Sequence, residues 1–377
     1  MIDDSEDFRV PYHFLQSIRG DLIIRNADRE IRYIGDAHAM GLIQIEAMAR
    51  EIQHEVQCGR LPTGFVIEGD AREGANIRPQ VLARKYYRPM AALLPNYTTW
   101  NIYEHSAYVW AVCEAARALG IYPNALSLGH PARRAPDWGI AGDFSLAGKT
   151  GAQGFNMLVE RVAANLATDE FERRLSSRRR NAQRNLKAAL QVERQTFDSD
   201  RSGRFVVMLC LGFAERYWCA PLHDEVRKFR TQLLNNRRPN RLLRGIKDYI
   251  WRLDEGESTG PYLNVLVFYE RQLSCDVDVG KALGDYWTRN VTRGIGAYWH
   301  CSMYRHPRWQ DGSPTGMGQI SGDDDRAREA LRGIIRSMAA AEQVSRLNCG
   351  DRVHLFGTSR IARKLADTHE AHCGGQQ

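Results

Sequence analysis

The chain has 377 residues, 43% of them apolar and 26% charged, with a formal net charge of +7 and a pI near 9.0. This is an ordinary globular mix, long enough for about two or three domains, and its mild basicity suits an anionic partner. The acidic start "MIDDSEDFRV" is unlike a secretory signal, no apolar run approaches the ~20 residues of a bilayer span, and 8 dispersed cysteines with no Cys-x-x-Cys pair read as free thiols in a reducing, cytoplasmic setting rather than as a zinc ribbon.

Residues 1–155 read as a mainly helical first region. "DAHAMGLIQIEAMAREIQHEV" and "NIYEHSAYVWAVCEAARALG" place apolar side chains at helical spacing, and "LPTGFVIEGDAREGANIRP" between them reads as turn, short strand and loop. Gly, Pro and Ala predominate from Gly120 to Gly154 and predict loops. A GKT at 148–150 lacks the glycine that a phosphate loop needs five positions before Gly148-Lys149. Asp143 stands there, so the segment reads as a plain loop. His13, His38, His54, His105 and His130 lack ligand spacing, and Ser106, Ser127 and Ser145 lack the Gly-x-Ser-x-Gly context of a hydrolase. This region is a candidate surface for a protein partner.

Residues 156–203 form a basic helical connector. Its arginines and lysine, Arg173, Arg174, Arg178, Arg179, Arg180, Arg184 and Lys187, have no acidic residue among them. Such a density of cations makes a phosphate-neutralising surface.

From 204 to 360 the periods alternate. "RFVVMLCLGF" is an apolar run of strand length, "PLHDEVRKFRTQLLNN" an amphipathic helix, and "GIKDYIWRLDEG" an alternating strand. "PYLNVLVFYERQ" is a further strand, hairpin-paired to it through "EGESTG". Then come a helix, "DVGKALGDYWTRNV", a strand, "GAYWHCSMYR", a helix, "DDRAREALRGIIRSMAAAEQVSRL", and a closing strand, "DRVHLFGTS". The order β-α-β-β-α-β-α-β predicts an α+β fold: a central antiparallel sheet with helices on one face, preceded by the helical region. Residues 361–377 form a polar tail.

Several of these motifs, in this order, carry a resemblance. "YIWRLDEG" at 249–256 is an aromatic strand ending in an acid, and "TGPYLNVLVFYE" at 259–270 follows a Gly. "ALGDYWTRNVTRGIGAYWHCS" at 282–302 has a Gly-x-x-Trp helix, a Thr-x-Gly-x-Gly turn and a strand, and "DRVHLFGTSR" closes the domain. Over about 205–360 the chain resembles the replication-initiator-like proteins of filamentous phages and enterobacterial prophages. That group is similar to the rolling-circle HUH endonucleases, whose sheet is RRM-like. The resemblance implies a metal held by two histidines and an acid, and a tyrosine on a later helix that attacks the scissile phosphate of DNA. Asp254 matches the acid. Tyr262 and Asn264 stand where the two histidines would, on one side of the strand. Tyr262 keeps its proton at neutral pH, and Asn264 offers only a carbonyl oxygen, so Mg²⁺ or Mn²⁺ would be held weakly at Asp254 and no cofactor is expected. No tyrosine follows Tyr304, and Ser337, near the place of the nucleophile, has no positioned base. The resemblance therefore points to an initiator-like pseudoenzyme that does not cut.

Two further clusters fit binding. Arg237, Arg238, Arg241, Arg244 and Lys247 occupy a loop before the strand of Asp254. Arg289 and Arg293 lie in a stretch rich in aromatics: Tyr286, Trp287, Tyr298, Trp299, Tyr304 and Trp309, with Arg305 and Arg308. That mixture suits stacking on unpaired bases. His300, Cys301 and His306 are close in sequence, but the first two point to opposite faces of a strand and read as structural. The expected partner is single-stranded or hairpin DNA, or RNA, with no membrane. The expected role is a regulator or assembly component of a mobile element, phage or defence system. The alternatives are a divergent metal-dependent nickase and a protein–protein scaffold.

Overall fold

A computed structural model describes residues 23–26, 29–32, 37–69, 76–97, 103–121, 149–198, 203–217, 223–235, 240–256, 260–270, 276–300, 316–340, 345–347 and 354–359. Strands β1 (Ile23–Asn26) and β2 (Arg29–Arg32) pair as a hairpin and belong to a sheet completed much later in the chain. Four helices then build a first core: α1 (Ala37–Gln57), α2 (Val81–Tyr97), α3 (Ala107–Ala118) and α4 (Gly151–Leu166). In α1, Leu42, Ile45, Met48, Ala49 and Ile52 recur at helical spacing and are all buried.

A hairpin of β3 (Phe65–Glu68) and β4 (Asn76–Pro79) caps this core. It is clamped by Asn156 of α4, whose Oδ1 accepts the Gly64 and Phe65 N–H groups at 3.0 and 2.7 Å. Between α2 and α3 lies β5 (Tyr103–His105). Ser106 caps α3 by accepting the Val109 N–H at 3.1 Å, and its hydroxyl donates to the buried Glu46 at 2.9 Å. Thr150 of the GKT segment caps α4. Its Oγ1 accepts the Gln153 N–H at 3.4 Å while its own N–H donates to Gln153 Oε1 at 3.0 Å. The expected loop over 120–154 thus gives way to helix at Gly151, and 122–148 lie outside the described residues.

Helix α5 (Asp169–Asp198) runs for about 45 Å. Its Phe171 is buried in the first core, and its Ala189, Val192 and Phe197 in a second. That second core surrounds a sheet to which the later chain adds β6 (Arg204–Phe213), β7 (Ile246–Gly256), β8 (Gly260–Glu270), β9 (Gly296–His300), β10 (Gly318–Ile320) and β12 (Phe356–Thr358). The strand order is β12-β7-β8-β6-β9-β1-β2, every pair is antiparallel, and β10 lies beside the start of β6. Helix α6 (His223–Asn235) and the short turn α7 (Arg241–Arg244) connect β6 to β7. Helix α8 (Asp276–Tyr286), continued by a π-helical turn at Trp287–Val291, connects β8 to β9. Helix α9 (Asp325–Ala340) precedes β11 (Ser345–Leu347), which pairs antiparallel with β5 of the first region.

The helices cover both faces of the sheet, not one. Phe205, Val207, Leu209 and Leu211 of β6 face α6 and α8, while Val206, Met208 and Cys210 face α5 and α9. The reason is in the strand itself. β6 is apolar without alternation, as a strand buried on both sides must be. The helix expected over 324–347 ends at Ala340, and of the strand expected over 351–359 the described residues, 354–359, hold β12.

Candidate functional site

Strands β7 and β8 bring Asp254 opposite Tyr262, and Arg252 opposite Asn264. The four residues lie at alternate positions and so share the face covered by α5 and α9. On that face Arg252, Asp254 and Asn264 form a chain of polar contacts. Arg252 donates from Nε and Nη2 to Asp254 Oδ1 at 2.8 and 2.7 Å, and from Nη1 to the carbonyl of Met338 near the end of α9 at 3.0 Å. Asn264 Nδ2 donates to Asp254 Oδ2 at 2.8 Å, and the Cys210 thiol donates to Asn264 Oδ1 at 2.7 Å. The side chains of Arg252 and Asp254 are only 6% and 13% exposed, so the pair is shielded from solvent.

This arrangement does not fit a divalent cation. Both oxygens of Asp254 already accept hydrogen bonds, and the guanidinium supplies the positive charge that the carboxylate requires. Mg²⁺ or Mn²⁺ would have to displace a buried cation held at three points. Among the described residues, no group of three or more His, Cys, Asp or Glu side chains is placed to hold a metal. Ser337 is buried on α9, and its hydroxyl donates to the Gly333 carbonyl one turn back at 3.0 Å. Arg252 and Cys210 were not among the residues singled out from sequence. Arg252 had a signal, since it stands two positions before Asp254 and therefore on the same face. Cys210 had none, because its place opposite Asn264 is a matter of cross-strand register.

The basic cluster of the connector divides by exposure. Arg178 is buried, and Arg174 is half-buried, paired with Glu170 at 2.7 Å and stacked 4.7 Å over the Trp110 ring. Arg174 thereby joins α5 to the first core. Arg173, Arg179, Arg180, Arg184 and Lys187 are exposed, as is Arg194 further along. Of these, Arg173 is paired with Glu170 at 2.8 Å, and Arg184 donates to Asn181.

The second cluster is on the other side of the molecule. Arg241 and Arg244 are exposed on α7, which packs with α6 and α8, and Lys247 pairs with Glu270 at 2.8 Å. Arg237 and Arg238 lie outside the described residues. The sheet therefore separates the two clusters, and they do not form one surface. Arg289 and Arg293 are exposed beside the π-helical turn, with Arg293 in the left-handed region at φ 53°.

Of the aromatics expected to stack on bases, Tyr286, Trp287, Tyr298 and Trp299 pack in or against the core instead. Trp287 is 0% exposed and its indole N–H donates to the Gly212 carbonyl at 2.9 Å. Trp299 is buried in the core under α5 and α9. The hydroxyl of half-buried Tyr298 donates to Asp285 Oδ1 at 3.1 Å, and its ring fills the space that a side chain at Gly284 would need. The Gly-x-x-Trp segment is thus the seat of α8 on the sheet. Tyr304, Arg305, Arg308, Trp309, Cys301, His306 and the side chain of His300 lie outside the described residues.

Among the described residues no helix is long and apolar enough to cross a membrane. No known protein family, curated protein or solved structure matches the chain.

Proposed function

We propose that the protein binds nucleic acid without cutting it, through a domain that is a degenerate relative of rolling-circle initiators. The observation that carries the binding reading is the exposed cationic side of α5, along which no acid interrupts the sequence from Arg173 until the buried Glu193. Two features support the initiator-like part. Strands β6 to β9 stand in the order β7-β8-β6-β9, the split β-α-β arrangement of ferredoxin-like and RRM-like sheets. Asp254, Tyr262 and Asn264 also converge on one face, as the resemblance requires of a former metal site. The lack of cutting follows from the buried Arg252–Asp254 pair, which leaves Asp254 no open oxygen to hold the metal that would polarise a phosphate. The protein then serves as a regulator or assembly component of a mobile element, phage or defence system in the cytoplasm. Its first region is available to a protein partner.

The test is titration of the full chain with single-stranded DNA, duplex DNA, a DNA hairpin and an RNA hairpin over a range of salt. The same samples with Mn²⁺ are then run on a denaturing gel. The expected result is salt-dependent binding with no cut product. A discrete nick lost in Asp254→Ala would establish the nickase reading instead. Absence of binding to every ligand at moderate salt would leave a scaffold.

A further inference from the structure

The exposed cations of α5 are arranged in a line. At 100° per residue, Arg173, Arg180, Arg184, Lys187 and Arg194 fall within about 80° of the helix circumference, directly opposite the side that buries Phe171, Ala182, Ala189 and Thr196. The line is about 32 Å long at the helical rise, close to the ~34 Å of one turn of B-form DNA. The only acid between its ends, Glu193, is 0% exposed and is held by Arg328 and Arg332 of α9 at 2.9 and 3.3 Å. It therefore subtracts nothing from the outward charge.

The line carries no exposed aromatic side chain on which a base could stack. The aromatics of α5, Phe171 and Phe197, are both buried, and Trp287 and Trp299 are in the sheet core. Single-strand binders combine cations with exposed aromatic platforms, and this helix has only the cations. We infer that the outer side of α5 binds the phosphate backbone of double-stranded DNA, over about one turn. This rests on the nucleic-acid-binding reading above and replaces its unpaired-base component with a duplex stem. B-form DNA is the duplex that fits. Its major groove, ~12 Å wide, admits an α-helix, whereas the A-form groove of RNA is too narrow for one.

The test uses the full chain and the Arg180→Gln, Arg184→Gln, Lys187→Gln triple variant. Each is titrated from low to moderate salt with a blunt 20-base-pair DNA duplex, the matching RNA duplex and one unpaired DNA strand. The side chains are exposed, and equal thermal melts of variant and parent confirm that the fold is kept. The expected result is tighter binding of duplex DNA than of either other ligand. The slope of log K against log salt should fall in magnitude by roughly 0.9 for each cation removed, about 3 in all. If only the unpaired strand binds, the duplex assignment fails while the nucleic-acid reading stands. If duplex RNA binds as tightly as duplex DNA, the B-form assignment fails. An unchanged salt slope in the triple variant would move the site away from α5. If no ligand binds, both readings fall together.

Discussion

At the scale of single residues, the informative contrast is between Asp254 and its neighbours. An acid at the end of an alternating strand, with polar side chains opposite it, invites a metal. The residue that decides otherwise is Arg252, two positions earlier on the same face. Alternation made the shared face of Tyr262 and Asn264 legible from sequence, and that of Arg252 with Asp254 on the partner strand, but a basic residue in a strand is usually a solvated one. Its burial depends on α9 arriving over that face and offering the Met338 carbonyl, which no local pattern reports. The pair yields a direct prediction. Arg252→Met leaves Asp254 in the interior without its cation and should destabilise the fold by about 3–5 kcal/mol, read by denaturant unfolding. Replacing both members by apolar residues should cost much less. A single substitution that costs no more than a surface change would mean that water, not Arg252, satisfies the carboxylate.

At the scale of elements, long periodic segments were readable and several of the shortest were not. The runs that became α1, α5, α6, β6, β7 and β8 have enough residues to show a period. β5 and β11 have three residues each, and β1 and β2 four, too few for any period to emerge, whereas the equally short β12 lies within the closing strand that the sequence suggested. Two-sided burial of the sheet was visible in the unbroken apolar run of β6, yet the basic composition of α5 pointed away from its role as a cover. That helix has two sides, and only the tertiary fold says which arginines are inside.

Helix α9 is the matching cover, tied to α5 by Arg328 and Arg332 on the buried Glu193. It also carries Glu329, whose carboxyl is held below the ordinary carboxylate range chiefly by a hydrogen bond from Arg336 of the same helix. A depressed carboxylate contributes stability above its unfolded pKa and loses it as the pH falls through the folded value. Arg336→Gln should therefore raise the pKa of Glu329 toward the usual range, measured by carboxyl-carbon NMR titration. No upward movement would show that the contact does not form in solution.

At the scale of the whole molecule, α5 belongs to both cores, so a break in it should be felt in both. Gln183 is exposed at mid-helix, and Gln183→Pro removes a backbone hydrogen bond and clashes with the preceding turn, costing about 3 kcal/mol or more. Hydrogen exchange should accelerate together in α3 of the first core and in β6 of the second. Acceleration in one alone would show that the helix does not couple them. The two regions are also laced by strands: β1 lies against β9 and β5 against β11. This lacing sets an order of events during synthesis. About 270 residues separate β1 from the strand that seats it, so at ribosomal rates of ~5–20 residues per second the hairpin waits roughly 15–55 s with an unsatisfied edge. A chaperone that shields strand edges would have its longest task here, and a translational pause before residue 296 would lengthen it.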